Sequence, residues 1–182
     1  MTAAYDPSPA SPGLTSFIRF LTLSDYTAAF AMVCAGSIPD LTSYTDELGR
    51  NTLQKALLAC DLLNPESLKI IQGLLSLSPL LASHMSKNGN TTLHFASFSA
   101  PPPVLRLIVL MSSVPLAHLK NTRGRTPLSI ACGSNGDVGA VEYLVGLKPE
   151  MLFVKDNKGE SALRSRCGGD VGWPEDTPPT AF

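Results

Sequence analysis

The sequence predicts an all-α solenoid of stacked helix–turn–helix repeats joined by hairpin-like turns, on three observations. Four glycines, Gly49, Gly89, Gly124 and Gly159, stand 40, 35 and 35 residues apart. Each is followed, one residue later, by a related hexamer: NTLQKA (51–56), TTLHFA (91–96), TPLSIA (126–131) and SALRSR (161–166). A proline also precedes each glycine by nine or ten residues, at Pro39, Pro79, Pro115 and Pro149. Three markers kept in register over four copies define an internal repeat, and a period of this length suits a two-helix unit that buries its apolar face on its neighbours.

Size and composition agree with a short array. The chain has 182 residues, room for one domain or a few small units. Its 44% hydrophobic content is too rich in core formers for a disordered chain. The 14 basic residues against 15 acidic ones leave a formal charge of −1, so no global positive field draws it to nucleic acid or acidic lipid. The longest strongly apolar stretch, Val104 to Met111, is interrupted by Arg106 and falls far short of the roughly 20 residues of a membrane span. No membrane insertion is expected.

Taken in order, residues 1–13 read as a disordered tail, with three prolines and neither a basic start nor the apolar helix of a secretory signal. Residues 14–36 read as a degenerate N-terminal capping pair. Phe17, Ile18 and Leu21 supply one helix; Tyr26, Ala29, Phe30 and Val33 form a face of the second, over 24–36. Residues 37–167 are the array. Asn, Thr or Ser opens each hexamer as an N-cap, and Pro127 sits at a first helical position, where its missing N–H costs nothing. The hexamer Leu and the Ala three residues later share one face of that helix, and Ala admits close approach of a second helix. Second helices start at Asn64, Pro65 and Glu66 with the stripe Leu68, Ile71, Leu74 and Leu75. They recur at Val104, Leu107, Ile108, Leu110 and Met111, and at Val141, Leu144 and Val145 after the cap Asp137. Each proline is expected to end its helix, and the glycine turns the chain into the next unit. The last copy has Arg166 at the small-residue position and Gly168 and Gly169 where a second helix belongs, so the final repeat is incomplete. Residues 168–182 read as a second disordered tail.

A helix–turn–helix plus glycine turn with a T-P-L-H-x-A core resembles the ankyrin repeat, over roughly residues 37–167. The third copy, Gly124 to Cys132, is the nearest match; the second keeps the histidine as His94 but has Thr92 for Pro. The resemblance implies a non-catalytic protein–protein interaction module, an adaptor or scaffold binding a protein partner through the concave face and turn tips. An alternative is the truncated targeting or regulatory segment of a larger enzyme such as a kinase or ubiquitin ligase. A reader of nucleic acid or phosphoinositides is disfavoured by the net charge.

No catalytic, cofactor or metal residues emerge. The loop from Gly133 to Gly139 lacks the Lys-Ser/Thr of a phosphate loop, and His84, His94 and His118 have no metal-ligand spacing. No paired acids or nucleophile elbow appear. Cys34, Cys60, Cys132 and Cys167 are 26, 72 and 35 residues apart, without a CxxC pattern, and are expected to be reduced, which fits a cytoplasmic or nuclear location.

Charge distribution is more informative than its sum. From Lys87 to Arg166 there are 10 basic residues against 5 acidic ones. Lys87, Lys120, Arg123, Arg125, Lys155 and Lys158 fall near the turn glycines and predict a basic edge; keeping the protein in solution is the other use such charges have. Phe95, Phe98 and Ile130 are the apolar residues expected to look into the groove; for Phe98 and Ile130 the alternative is filling gaps between repeats. Together the nine suit a peptide or helix with acidic and hydrophobic residues.

Overall fold

The computed structural model describes residues 11–38, 41–112, 114–134 and 137–165. Among them are ten α-helices, nine of which form two rows. In the first row α1 (Pro12–Thr22), α3 (Thr52–Ala59), α6 (Thr92–Ser99), α8 (Pro127–Gly133) and α10 (Ala162–Ser165) each pack on the next. In the second row α2 (Tyr26–Cys34), α4 (Pro65–Leu77), α7 (Pro102–Met111) and α9 (Val138–Leu147) do the same. Each first-row helix from α1 to α8 also packs on its own second-row partner, and the core runs continuously between the rows.

The helices form where their caps allow. Asn51 Oδ1 accepts the Gln54 N–H at 2.9 Å while Gln54 Oε1 accepts the Asn51 N–H at 3.1 Å, a reciprocal pair that satisfies two end donors of α3. Asn64 caps α4 through the Glu66 N–H (2.9 Å) and Asp137 caps α9 through the Gly139 N–H (2.9 Å). The leucines and alanines of the first three hexamers, Leu53, Ala56, Leu93, Ala96, Leu128 and Ala131, are all buried, whereas Leu163 of the fourth is exposed. Fully burying one Leu contributes about 1.5–3 kcal/mol.

Two expectations need correction. The first helix begins at Pro12, inside the stretch read as tail: Ser11 accepts the Leu14 N–H at 3.4 Å, and Pro12 takes a first-turn position that needs no donor. The prolines, too, do more than stop helices. Ser78 and Lys148, each preceding a proline, are extended (φ −151° and −152°) and end α4 and α9 as expected. Yet Pro79, Pro115 and Pro149 then start new turns: α5 (Leu80–Ser83) and 3₁₀ turns at Leu116–His118 and Pro149–Phe153. Their fixed φ suits the first position of a helical turn. Pro39, Arg166 and the segment 168–182 lie outside the described residues.

The N-terminal pair is a full member of the stack. Phe17, Leu21, Tyr26, Ala29 and Val33 are buried as expected, and Asp25 caps α2 through the Ala28 N–H at 3.1 Å. Tyr26 Oη accepts the Asp61 N–H at 2.8 Å, fastening the pair to the loop after α3. Gly73 lets α2 lie close on α4, since a Cβ there would stand 2.5 Å from Val33 Cγ1. Farther along the second row, the Arg106 guanidinium lies 5.4 Å from the centroid of the Tyr143 ring, joining α7 to α9.

Candidate partner-binding edge

The four glycine turns are built alike. Gly49, Gly89, Gly124 and Gly159 have φ of +73°, +70°, +75° and +80°. Three residues before each glycine stands Asp46, Ser86, Asn121 or Asp156. The backbone N–H of that residue donates to the carbonyl four residues on: Asp46 to Arg50 (3.0 Å), Ser86 to Asn90 (3.0 Å), Asn121 to Arg125 (2.9 Å) and Asp156 to Glu160 (2.8 Å). Its side-chain oxygen accepts in return. Asn121 Oδ1 takes the Arg123 and Arg125 N–H groups at 3.0 Å each, and Asp156 Oδ1 those of Lys158 and Glu160 at 2.9 Å each. An Asx side chain thus mimics a backbone turn and holds the loop. The sequence reading missed this series, although its spacing of 40, 35 and 35 equals that of the glycines.

Successive turns are joined by backbone. The N–H of Lys87 donates to the Leu48 carbonyl (3.0 Å), that of Thr122 to Asn88 (3.0 Å) and that of Asn157 to Arg123 (2.9 Å). Buried side chains add struts. Gln54 Nε2 donates to the carbonyls of His84 (2.9 Å) and Asn90 (3.3 Å). His94 repeats the device one unit later: Nδ1 accepts the Thr91 N–H at 3.1 Å, and Nε2 lies 3.1 Å from the Arg125 carbonyl. A ring facing one donor and one acceptor is the neutral tautomer with the proton on Nε2. Burial drives its pKa down to about 4, against a smaller upward pull from the Arg125 carbonyl. His94 is thus a strut between the second hexamer and the third turn.

Around these turns the nine sequence-predicted contact residues separate into two groups. Lys87, Lys120, Lys155 and Lys158 are exposed, and Arg123 is half-buried. Lys120 Nζ donates to the Lys155 carbonyl at 2.9 Å, so the third and fourth turns lie side by side. Arg125 is different: its Nε stands 3.5 Å from Asp156 Oδ2, with both side chains largely covered, and it braces the two turns.

The apolar candidates are corrected more strongly. Phe95 is 2% exposed and belongs to the core cluster, because α6 is covered by α3, α5, α7 and α8. It is closed to a partner. Ile130 is 6% exposed and likewise covered, though it stands outside the main cluster, and Phe98 is half-buried. Phe95 and Ile130, at the fifth position of the second and third hexamers, are covered within the stack.

In the first turn acid and base are paired. Asp46 holds Arg50 at 2.7 Å and Lys55 at 3.6 Å. Burial alone would raise its pKa, but the hydrogen bonds and charge of Arg50, with Lys55 behind it, bring it below the ordinary carboxylate value. Beside it stands the exposed Glu47.

Away from the edge, Cys34 is exposed, Cys60 half-buried and Cys132 buried, with no disulfide among the described residues. Burial pushes the Cys60 thiol up to about 12, opposed by a Ser67 hydrogen bond and assisted by the charge of Asp61. Among the described residues no cluster of His, Cys, Asp and Glu could hold a metal, and no helix is long and apolar enough to cross a membrane. Cys167 lies outside them.

Comparison with protein families gives one match. Residues 123–153, from the third turn through the 3₁₀ turn after α9, match the family model of the ankyrin repeat. No curated protein matches the chain.

Proposed function

We propose that this chain, an ankyrin-repeat protein, is a non-catalytic protein-interaction module that works as an adaptor or scaffold. Ankyrin repeats are in general interaction modules without catalytic chemistry. The reading places the partner, a protein, on the turn tips and the face they overhang, with no role in binding nucleic acid or inserting into membranes, and in the cytoplasm or nucleus.

One observation carries it. The turns are tied to one another by backbone bonds, and the third and fourth end in exposed lysines. A pre-formed edge of this kind binds without ordering itself first, so little conformational entropy is lost on association. The low overall charge supports a protein partner over a polyanion, which would call for a strongly positive field.

Lysine-directed crosslinking of captured partners tests the reading. Crosslinks are expected on Lys87, Lys120, Lys155 and Lys158 of the turns. Crosslinks confined to Lys69 on α4 and Lys148 after α9 would place the interaction surface elsewhere.

A further inference from the structure

Three of the four hexamer leucines are covered by a helix of their own unit and the fourth is not. Leu53, Leu93 and Leu128 are 0%, 0% and 1% exposed, because α3, α6 and α8 pack under the second-row helices α4, α7 and α9. Leu163 holds the same hexamer position on α10 and is 56% exposed. Against α10 pack α8 and the 3₁₀ turn Pro149–Phe153, and the described residues hold no second-row helix beyond α9.

The adjoining side of α9 is unpartnered in the same way. α7 and α9 are each ten residues long, and α7 meets α9 through its first and fifth residues. Pro102 Cγ would stand 3.0 Å from a Cβ on Gly139, and the Arg106 guanidinium lies 5.4 Å from the Tyr143 ring. Leu105, the fourth residue, shares that side of the helix and is fully buried. On α9 these positions are Val138, Val141 and Glu142. Val138 is exposed and Val141 half-buried. Glu142 is exposed, with no cation in ion-pair range among the described residues. The other end of the solenoid differs. The exposed positions of α1 include Thr15, Ser16, Arg19 and Thr22, a polar surface of the kind that closes an array.

Resting on the interaction reading above, we propose that the step between α9 and α10 is a second contact site, and that its occupant is an amphipathic helix of the protein partner laid beside α9. That helix covers Leu163 as α9 covers Leu128, and meets Val138, Val141 and Glu142 as α9 meets the same positions of α7. Its chemistry follows from this continuation of the stack. An apolar stripe at helical spacing faces α10, and a lysine or arginine stands where α9 has Tyr143, opposite Glu142. A second copy of this chain offers no such helix, since its N-terminal end is polar and its C-terminal end repeats the same step.

The probe is a peptide of residues 137–148, locked as a helix by a side-chain bridge and carrying Tyr143→Lys. It reproduces α9 one unit farther along. Fluorescence anisotropy with the full chain should show saturable binding, weakened at least about tenfold by Leu163→Asp in the protein, as the burial of one leucine is lost. A peptide with Tyr143→Glu should bind at least about fivefold more weakly than the lysine peptide, and Glu142→Lys in the protein should reverse that order. Both protein variants should keep the wild-type thermal transition, since Leu163 and Glu142 are exposed. No saturable binding, equal binding of a bridged peptide of scrambled order, or unchanged affinity in Leu163→Asp would each overturn the proposal. So would either other occupant. A dimer in sedimentation velocity that Leu163→Asp dissociates would place a second copy there. Emission of Trp173, the one tryptophan of the chain, moving to longer wavelength in Leu163→Asp would place the chain's own residues there. The two readings fail separately. If the helix does not bind while captured partners crosslink to the turn lysines, this site is wrong and the interaction module stands. If the helix binds and no captured partner crosslinks to Lys87, Lys120, Lys155 or Lys158, the turn edge is wrong and this site stands.

Discussion

His94 of the second hexamer and Arg125 of the following turn are 31 residues apart and are joined by a buried bond of 3.1 Å from the imidazole Nε2 to the backbone carbonyl. The ring is fully covered and must remain neutral to accept from Thr91 at its other nitrogen. Unfolded, the same imidazole titrates near 6.5; folded, near 4. The unfolded state therefore takes up a proton first as pH falls. Stability is full above about 6.5, declines between 6.5 and 4, and levels off for this group below 4. Denaturant titrations at pH 7.5 and pH 5 should differ by about 2 kcal/mol from this residue.

Gln54 already performs the same task in the first hexamer, accepting from Asn51 and donating to Asn90. His94→Gln should accordingly keep most of the stability at pH 7.5 and remove the dependence between pH 4 and 6.5. His94→Ala should cost about 2–4 kcal/mol at pH 7.5, because it leaves buried backbone groups unpaired. The pair of variants, compared by urea denaturation, separates the strut from simple bulk.

Two turn glycines of equal backbone geometry should respond unequally to alanine. At Gly124 a Cβ would stand 2.5 Å from Asn157 Oδ1 and 2.9 Å from its backbone nitrogen, whereas at Gly159 nothing lies within 4 Å. Gly159→Ala should cost about 1 kcal/mol, the strain of positive φ alone. Gly124→Ala should cost more, about 2–4 kcal/mol, as the junction to the fourth turn opens.

Equivalent hexamer leucines likewise differ by position in the stack. Leu128 is buried at the centre and Leu163 is 56% exposed. Leu128→Ala should cost about 2–5 kcal/mol, through lost burial plus a cavity. Leu163→Ala should stay within about 0.5 kcal/mol. A chemical-denaturation midpoint for each decides it.

Phe95→Ala should act on the fold. With the ring buried in the core, truncation is expected to cost about 3–5 kcal/mol. Its effect on partner dissociation should vanish once the comparison is made on the folded fraction, as measured by surface plasmon resonance alongside circular dichroism.

The repeat was readable because glycine, cap and apolar period all answer to local geometry. Positive φ at Gly49 or Gly124 and the caps of Asn51 and Asn64 are decided within a few residues of chain, and so they leave a mark in spacing. What the sequence concealed depends on neighbours far away in the chain. Phe95 and Lys55 occupy the same hexamer position, yet one is enclosed by adjoining helices while the other reaches Asp46. Arg125 reads as one more basic turn residue, and only the packing of the fourth turn on the third brings Asp156 to it. The basic edge was visible in composition; which of its members are exposed was a question of tertiary pairing.

One substitution in the hexamers reaches beyond its own site. Where the first two copies carry Gln54 and His94, the third carries Ser129, whose hydroxyl extends only to Thr126 Oγ1, 3.0 Å away in its own unit. The last junction is thus held by its backbone bond and by pairs nearer the surface: Asn157 with Thr122, Lys120 with the Lys155 carbonyl, and Arg125 with Asp156. In a linear array each unit leans only on its neighbours, so a weaker joint sets where the cooperative unit breaks. The solenoid should come apart like a zipper with a designated end: amides of the fourth turn exchange with solvent at a lower free-energy cost than those of α6, while the remainder stays folded. The same turn carries Lys155 and Lys158, so whatever holds those two lysines would also brace the joint that otherwise opens first.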